Sequence, residues 1–385
     1  MFNGHILEEM RLLNGLSRSE LAEKLQVSEQ AIWQFENNQA SPKMKHLMTL
    51  SHLFHVSIDY FNEEEQLPQF DLSQIAFRNA DLEAKKAIRI QSIYLEKLNQ
   101  MIDYLEQFVE IPHQTIYELC HQTNQLFQDG VAIHEIAMMA RDVLEIAPDN
   151  GNLLYHLEKS GIYISERLIN GQADAYSAWS KKGRPFIILG VGKSSVRRNF
   201  DLAHELGHLL LHQRVDFEEL SIAELEEKEG EANQFASCFL LPEKTFLHDF
   251  QSLVGKRTSN PDQYVLLKQK YNVSIQALEY RAYKLGLLTP QQNAYFYRQI
   301  SKKDYKVVEP LDRDIPLKHP SKIRSILDVI LSHHLLTLSD LTRYPKVSTK
   351  YISQLFGFDD QFFDPYRESI SKFENVIPLF PQKQG

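Results

Sequence analysis

The sequence predicts a mostly α protein with a small β-sheet, an α+β fold. Three observations predict it. Apolar residues recur at three- and four-residue steps from Gly4 to Phe61 and again from Asn79 to Val109. Two isoleucine-rich runs bounded by glycine, SGIYISERL at 160–168 and GRPFIILG at 183–190, read as short strands. After the second run the helical period returns and carries histidines at 204 and 208. A chain of 385 residues is too long for one simple core. The expected divisions are an all-helical head at 1–62, a linker and helical connector at 63–131, a mixed α+β domain at 132–290 and a helical C-terminal region at 291–385 with no assigned role.

Composition narrows the possible functions. The apolar fraction of 43% and charged fraction of 24% are those of an ordinary globular protein. A net charge of −9 argues against indiscriminate coating of nucleic acid, but leaves room for one small DNA-reading domain. The two cysteines, Cys120 and Cys238, form no CxxC pair, which fits a reducing cytoplasm and rules out a cysteine-only zinc site. No apolar run reaches about 18 residues and the N-terminus lacks a basic-then-apolar signal region. The expectation is a cytoplasmic protein without a membrane partner.

In the head, Ile6, Met10 and Leu13 form one apolar stripe. Ser17, with Glu20 three residues on, has the capping-box spacing of a helix start, and Leu21, Ala22 and Leu25 face inward behind it. Gln26 and Val27 make a tight turn, and Ser28 caps a second helix with Ile32 and Phe35 inward. Two short helices joined by so tight a turn read as a helix-turn-helix, closed by the further helices of ASPKMKHLMTLSHLFHVSIDYF. Against DNA binding, residues 1–62 carry five basic side chains (Arg11, Arg18, Lys24, Lys43, Lys45) and seven acidic ones (Glu8, Glu9, Glu20, Glu23, Glu29, Glu36, Asp59). Counterion release would then be weak, and the alternative is a module that binds a protein partner or has lost its DNA function.

The stretch VSEQAIWQFENN…SP…VSIDYF resembles the phage-repressor (Cro/cI, XRE-type) helix-turn-helix family over about sixty residues. The resemblance places Ser28, Glu29, Gln30, Trp33 and Gln34 on the exposed face of the recognition helix. Gln30 and Gln34 would read adenine edges and Ser28 would meet phosphate. Asn38 stands where the family usually has glycine, a mild departure because asparagine tolerates a left-handed backbone.

EEEQLPQFD at 63–71 reads as a linker, and 79–109 as a long helix with apolar Ile88, Ile90, Ile93, Leu95, Leu98, Ile102, Leu105 and Val109. Such a stripe packs on its own chain or pairs two copies, so a homodimer is an open expectation. Residues 132–146 read as another helix. ADAYSAWS lies between the two strands and is expected to end in a turn near Lys181, Lys182 and Gly183.

On RRNFDLAHELGH, residues 197–208, His204 and His208 share one helical face and can present ring nitrogens to one ion. Glu205 sits about 100° round, close enough to act on a metal-bound water. This is the HExxH arrangement of two zinc ligands and a general base. A chance pattern on a surface helix is the bland alternative. A plausible third ligand counts against it. On the helix at 227–242, Glu229, Ala232, Asn233 and Ala236 share a face whose small residues allow close approach, so Glu229 completes the site. Glu231 points about 160° away and is the weaker candidate. Gly207 leaves room for a neighbouring backbone. His212 is expected past the metal, as a surface or supporting group. Tyr176 and His212 are candidate donors to a developing oxyanion, and the strand RPFIILG is expected to line the cleft and accept substrate as an added strand.

GRPFIILG…RRNFDLAHELGHLLLH…EGEANQFASCFLLP, together with VSIQALEYRAYKLGLL, is similar to the ImmA/IrrE family of metallopeptidases, a gluzincin-like group, from about 132 to about 288. The resemblance implies a zincin-like domain holding one Zn2+ per chain, with His204, His208 and Glu229 as ligands and Glu205 as the base. Asn233 takes a place where related zincins often use aspartate to support a histidine ligand. Known members cleave a helix-turn-helix repressor, and several carry an XRE-type head. The expectation is a cytoplasmic regulatory zinc endopeptidase with a repressor-like protein substrate, directed by its own DNA-binding domain. Two alternatives are a transcription regulator with a structural or silent zinc site, and a toxin–antitoxin or phage-type regulatory protein acting by binding alone. Residues 263–288 read as helix-turn-helix-like with a turn near Asn272, and 337–357 as a further such pattern with Ser348 as a cap.

Overall fold

The computed structural model describes residues 1–64, 67–71, 82–112, 114–168, 175–213, 215–217 and 219–367. The head comprises α1 (Gly4–Leu13), α2 (Arg18–Leu25), α3 (Glu29–Glu36) and α4 (Met44–Phe54), closed by a 3-10 turn at Ile58–Asn62. Ser17 and Glu20 form the capping box that starts α2. Gln26 takes the left-handed turn conformation, and the Ser28 hydroxyl accepts from Ala31 N to start α3. Asn38 is left-handed at φ 56°, and its Oδ1 also accepts from Gly4 N at 2.7 Å.

The connector helix α5 runs from Leu82 to Leu105, and α6 from Thr115 to Gln128. Then come α7 (Ile133–Val143), α8 (Leu153–Ser160), β1 (Tyr163–Arg167), β2 (Ala175–Trp179) and β3 (Pro185–Gly190). Within ADAYSAWS, Ala175–Trp179 is therefore a strand in its own right, joined to β3 by the expected turn, in which Gly183 adopts φ 83°; residues 173 and 174 lie outside the described residues. The helices α9 (Ser195–Leu211), α10 (Ile222–Leu240), α11 (Glu243–Leu253), α12 (Val265–Tyr271), α13 (Ile275–Lys284) and α14 (Pro290–Lys302) follow. The chain continues with α15 (Lys322–Ser332), α16 (Leu338–Arg343) and α17 (Thr349–Phe356). Helix α10 starts five residues before the expected 227, at a second capping box made by Ser221 and Glu224.

The sheet has the order β1-β3-β2, with β1 parallel and β2 antiparallel to β3. Both edges of β3 are thus occupied. This corrects the expectation that RPFIILG could accept a substrate strand, because its backbone groups already bond β1 and β2. The edge position beside α9 belongs to β2.

Side chains alternate across β3. Ile187 and Leu189 enter a core formed with α6 to α14, whereas Phe186 and Ile188 enter a second core. The first core reaches beyond 132–290 at both ends, taking in Ile116 and Leu119 before it and Phe296 and Ile300 after it. The second core joins the head (Leu7, Leu21, Phe54, Phe61), α5 (Leu95, Leu98, Ile102) and the C-terminal helices (Leu327, Ile352, Phe356) on the outer face of the sheet. Much of the α5 stripe, from Leu95 to Leu105, packs within its own chain. Arg89 and Lys97 of α5 also reach Glu8 and Glu9 of α1, each at 2.6 Å.

The C-terminal pattern has the expected helix-turn-helix form. Lys346 is left-handed and Ser348 caps α17. However, Tyr351, Ile352, Ser353, Leu355 and Phe356 of α17 are buried, so the helix offers no broad reading face. Val347 instead pairs with Val56, and Ser57 N donates to Lys346 O, fastening this unit to the head. The α12–α13 pair turns at left-handed Asn272 and likewise faces inward through Ile275 and Leu278. Cys120 and Cys238 are buried, and no disulfide joins them. Among the described residues, no helix is long and apolar enough to cross a membrane.

Candidate metal centre and nucleic-acid interface

Helix α9 lies on the inner face of the sheet and against α10. The close approach of the two helices depends on small residues. A β-carbon on Gly207 would stand 3.3 Å from the Cα of Ala232 and 3.2 Å from the Phe235 ring. This contact brings Glu229, one turn before Asn233, over the histidine pair.

The Nε2 atoms of His204 and His208 face each other at 3.1 Å. The Glu229 carboxylate lies 3.5 Å from each of them, through Oε2 to His204 and Oε1 to His208. One donor atom from each residue falls within 4.8 Å of the other two. Two ligands bound tetrahedrally at zinc distances are about 3.3 Å apart, so these donors are spaced to share one such ion. His204 Nδ1 meets Asn233 Oδ1 at 3.1 Å, and with that oxygen accepting, the Nε2 lone pair points inward. Asn233 thus lies against the outer ring nitrogen of His204, on the side away from His208 Nε2.

Glu205 is buried beside the pair, and its main-chain carbonyl accepts from the Ser177 hydroxyl of β2 at 3.3 Å. Burial pushes its carboxyl up to about 7, against the opposing pull of His208 and Ser177. Such a group is suited to exchanging a proton near neutral pH.

One expectation is corrected, and of the two places left open to His212, surface or support, the first is excluded. Tyr176 does not reach the pair. It faces the opposite side of the sheet, fully enclosed in the second core, and its hydroxyl donates to Gln91 Oε1 at 2.8 Å. Alternation along a strand sends neighbours to opposite faces, and Ser177 takes the side that meets α9. His212 is not a surface group. It is buried, with Nδ1 3.0 Å from His208 Nδ1 and Nε2 2.8 Å from Glu231. Glu231 also contacts Lys228 at 3.0 Å. Burial is the leading influence on Glu231 and acts to raise its carboxyl, but the bonds to His212 and Lys228 outweigh it and hold the group below its ordinary value. Burial, the leading influence on His212, holds that ring below its ordinary value despite the Glu231 bond. Glu229 and Glu231 of α10 thus serve different histidines. Sequence spacing separated their directions but did not supply a partner for Glu231.

In the head, Ser28, Glu29, Gln30 and Trp33 are exposed on α3, and Gln34 is half-buried. The unfavourable charge count changes when partners are seen. Glu36 is buried and accepts from Arg11 Nε and Arg18 Nε, each at 2.5 Å. Glu8 and Glu9 pair with the connector. Three of the seven acidic residues are therefore engaged in ion pairs, but so are Arg11 and Arg18 of the five basic ones, so the gain towards a phosphate backbone comes from Arg89 and Lys97 of the connector.

Residues 157–283 match the family model of the IrrE N-terminal-like domain, Peptidase_M78, and residues 7–61 match a helix-turn-helix model, HTH_3. Neither a curated protein nor a solved structure matches the chain.

Proposed function

We propose, from the premise that this chain joins an ImmA/IrrE-type peptidase domain to an XRE-type helix-turn-helix domain, that it is a regulatory zinc endopeptidase acting on a helix-turn-helix repressor protein at or near DNA. The observation that carries this reading is the convergence of His204 Nε2, His208 Nε2 and the Glu229 carboxylate on one point. His204, His208 and Glu229 would hold the ion. When bound, zinc supplies Lewis-acid polarisation of a carbonyl and a lowered pKa for water.

The chain's own groups do the rest. Glu205, buried next to the ligands, takes the proton of the attacking water and passes it to the departing amine nitrogen. Asn233 holds the His204 ring in one orientation. An extended substrate would pair with β2, the strand that packs on α9 and carries Ser177. Gln30 and Trp33 of α3 would address DNA bases, with Ser28 and Glu29 at the helix start and Gln34 set deeper.

The head shares its core with the outer face of the sheet, so it is a fixed part of the catalytic body rather than a tethered address. The deciding experiment uses the full chain. Purified protein loaded with zinc is incubated with repressor-like proteins encoded beside its gene, alongside Glu205→Gln. Cleavage by the parent and not by the variant, with equal zinc content, supports the reading. Equal control of transcription by both proteins would replace it with a zinc-stabilised regulator.

A further inference from the structure

We propose that His212 and Glu231 are positioning residues for the metal, acting through His208 by fixing which of its ring nitrogens carries the proton. The inference rests on the metal-centre reading above.

The tautomers follow from the end of the chain of contacts. Glu231 offers a carboxylate to His212 Nε2 at 2.8 Å, so that nitrogen carries the hydrogen. In a neutral ring the other nitrogen, Nδ1, is then a bare acceptor. It lies 3.0 Å from His208 Nδ1, which must donate. His208 Nε2 is left without a hydrogen and points at the centre, 3.5 Å from Glu229 Oε1. His204 reaches the same state by a different route, through Asn233.

The surroundings fit a built device. The His212 side chain is 1% exposed and is flanked by the rings of Phe127 and Phe217, with centroids 6.3 Å away in both cases. An imidazole in such a place costs desolvation that an apolar side chain would avoid, unless both nitrogens are satisfied. Both are, one by a ligand and the other by a carboxylate. Lys228 holds that carboxylate in turn at 3.0 Å. Helix α10 therefore supports both histidines: Asn233 fixes His204 directly, and Glu231 fixes His208 through one intervening ring.

Two measurements on full-length protein test this. The first is nitrogen-15 NMR of the imidazole rings in metal-free protein. His204 and His208 should be protonated at Nδ1 and His212 at Nε2. The second is zinc affinity by competition with a chromophoric chelator. His212→Phe should weaken binding by roughly 10- to 100-fold, the usual effect of losing an outer partner of a metal ligand. His212→Gln, whose amide oxygen accepts the same proton, should recover most of that loss. Glu231→Gln should fall between wild type and His212→Phe. Circular dichroism and the melting temperature of each metal-free variant exclude loss of fold as the cause.

Protonation of His208 at Nε2 in the wild type overturns the proposal. So does unchanged zinc affinity in His212→Phe, or equal loss in His212→Phe and His212→Gln, which would mark His212 as packing alone. Wild-type protein that binds no zinc would refute the metal-centre reading instead, and the ring tautomers would still decide this one.

Discussion

Gly207 of α9 lies so close to Ala232 of α10 that a β-carbon at 207 would stand 3.3 Å from the Ala232 Cα. The position sets how near α10 brings Glu229 to His204 and His208. Gly207→Ala should be nearly neutral: about 1 kcal/mol of helix propensity is gained, set against a contact slightly too tight. Gly207→Val should push the helices apart and lower zinc affinity at least tenfold. Chelator competition together with melting curves with and without zinc checks both variants.

Glu229→Ala should lose most zinc affinity, since it removes a donor from the triangle. Glu231→Ala should weaken binding less, because it acts through His212. Metal content after dialysis against a weak chelator gives the order. A greater loss from Glu231→Ala would exchange the roles assigned to the two carboxylates.

Glu205→Gln should keep fold, zinc and DNA binding while losing peptide hydrolysis. The amide cannot take a proton at neutral pH. The loss should exceed about a hundredfold, because the same residue must also protonate the leaving amine. Repressor cleavage followed by mass spectrometry is the measurement.

Gln30→Ala should relax discrimination at one base position at a cost of about 1–3 kcal/mol. Gln34→Ala should cost less, since Gln34 is half-buried and Gln30 exposed. Selection from a randomised operator library reports both. Sequence-independent binding by the intact protein would make the head a protein-docking module.

Glu36→Ala should destabilise the head by about 3–5 kcal/mol, because it strands Arg11 in the interior without its partner. Urea unfolding measures this. A loss of unfolding free energy below about 1 kcal/mol would place the pair at the surface energetically.

Much of this was legible where the determinants are local. Ser17 with Glu20, and Ser28 before a run of inward apolar residues, announce α2 and α3 without reference to the rest of the chain. His204 and His208 share a face because the helix period requires it. Tyr176 was misassigned because its face depends on the phase of β2, which only pairing with β3 fixes. The strand edge was misassigned for a related reason: RPFIILG reads as any buried strand, and nothing in its residues says that both neighbours are in place. The partner of His212 lies 19 residues away on another helix. The burial of α17 is equally non-local, since its sequence pattern matches that of a reading helix and only α5 and the head covering it change its role.

Strand β3 carries a longer consequence. Its Ile187 and Leu189 belong to the core of α9 and α10, and its Phe186 and Ile188 to the core of the head. A partition one strand thick serves both rooms, so neither can be let separately. Exchanging residues 1–62 for a foreign head would remove Leu7, Leu21, Phe54 and Phe61 from the core to which Phe186 and Ile188 belong. A replacement head would therefore have to supply an apolar face that fits α5 and the C-terminal helices as well as its own interior.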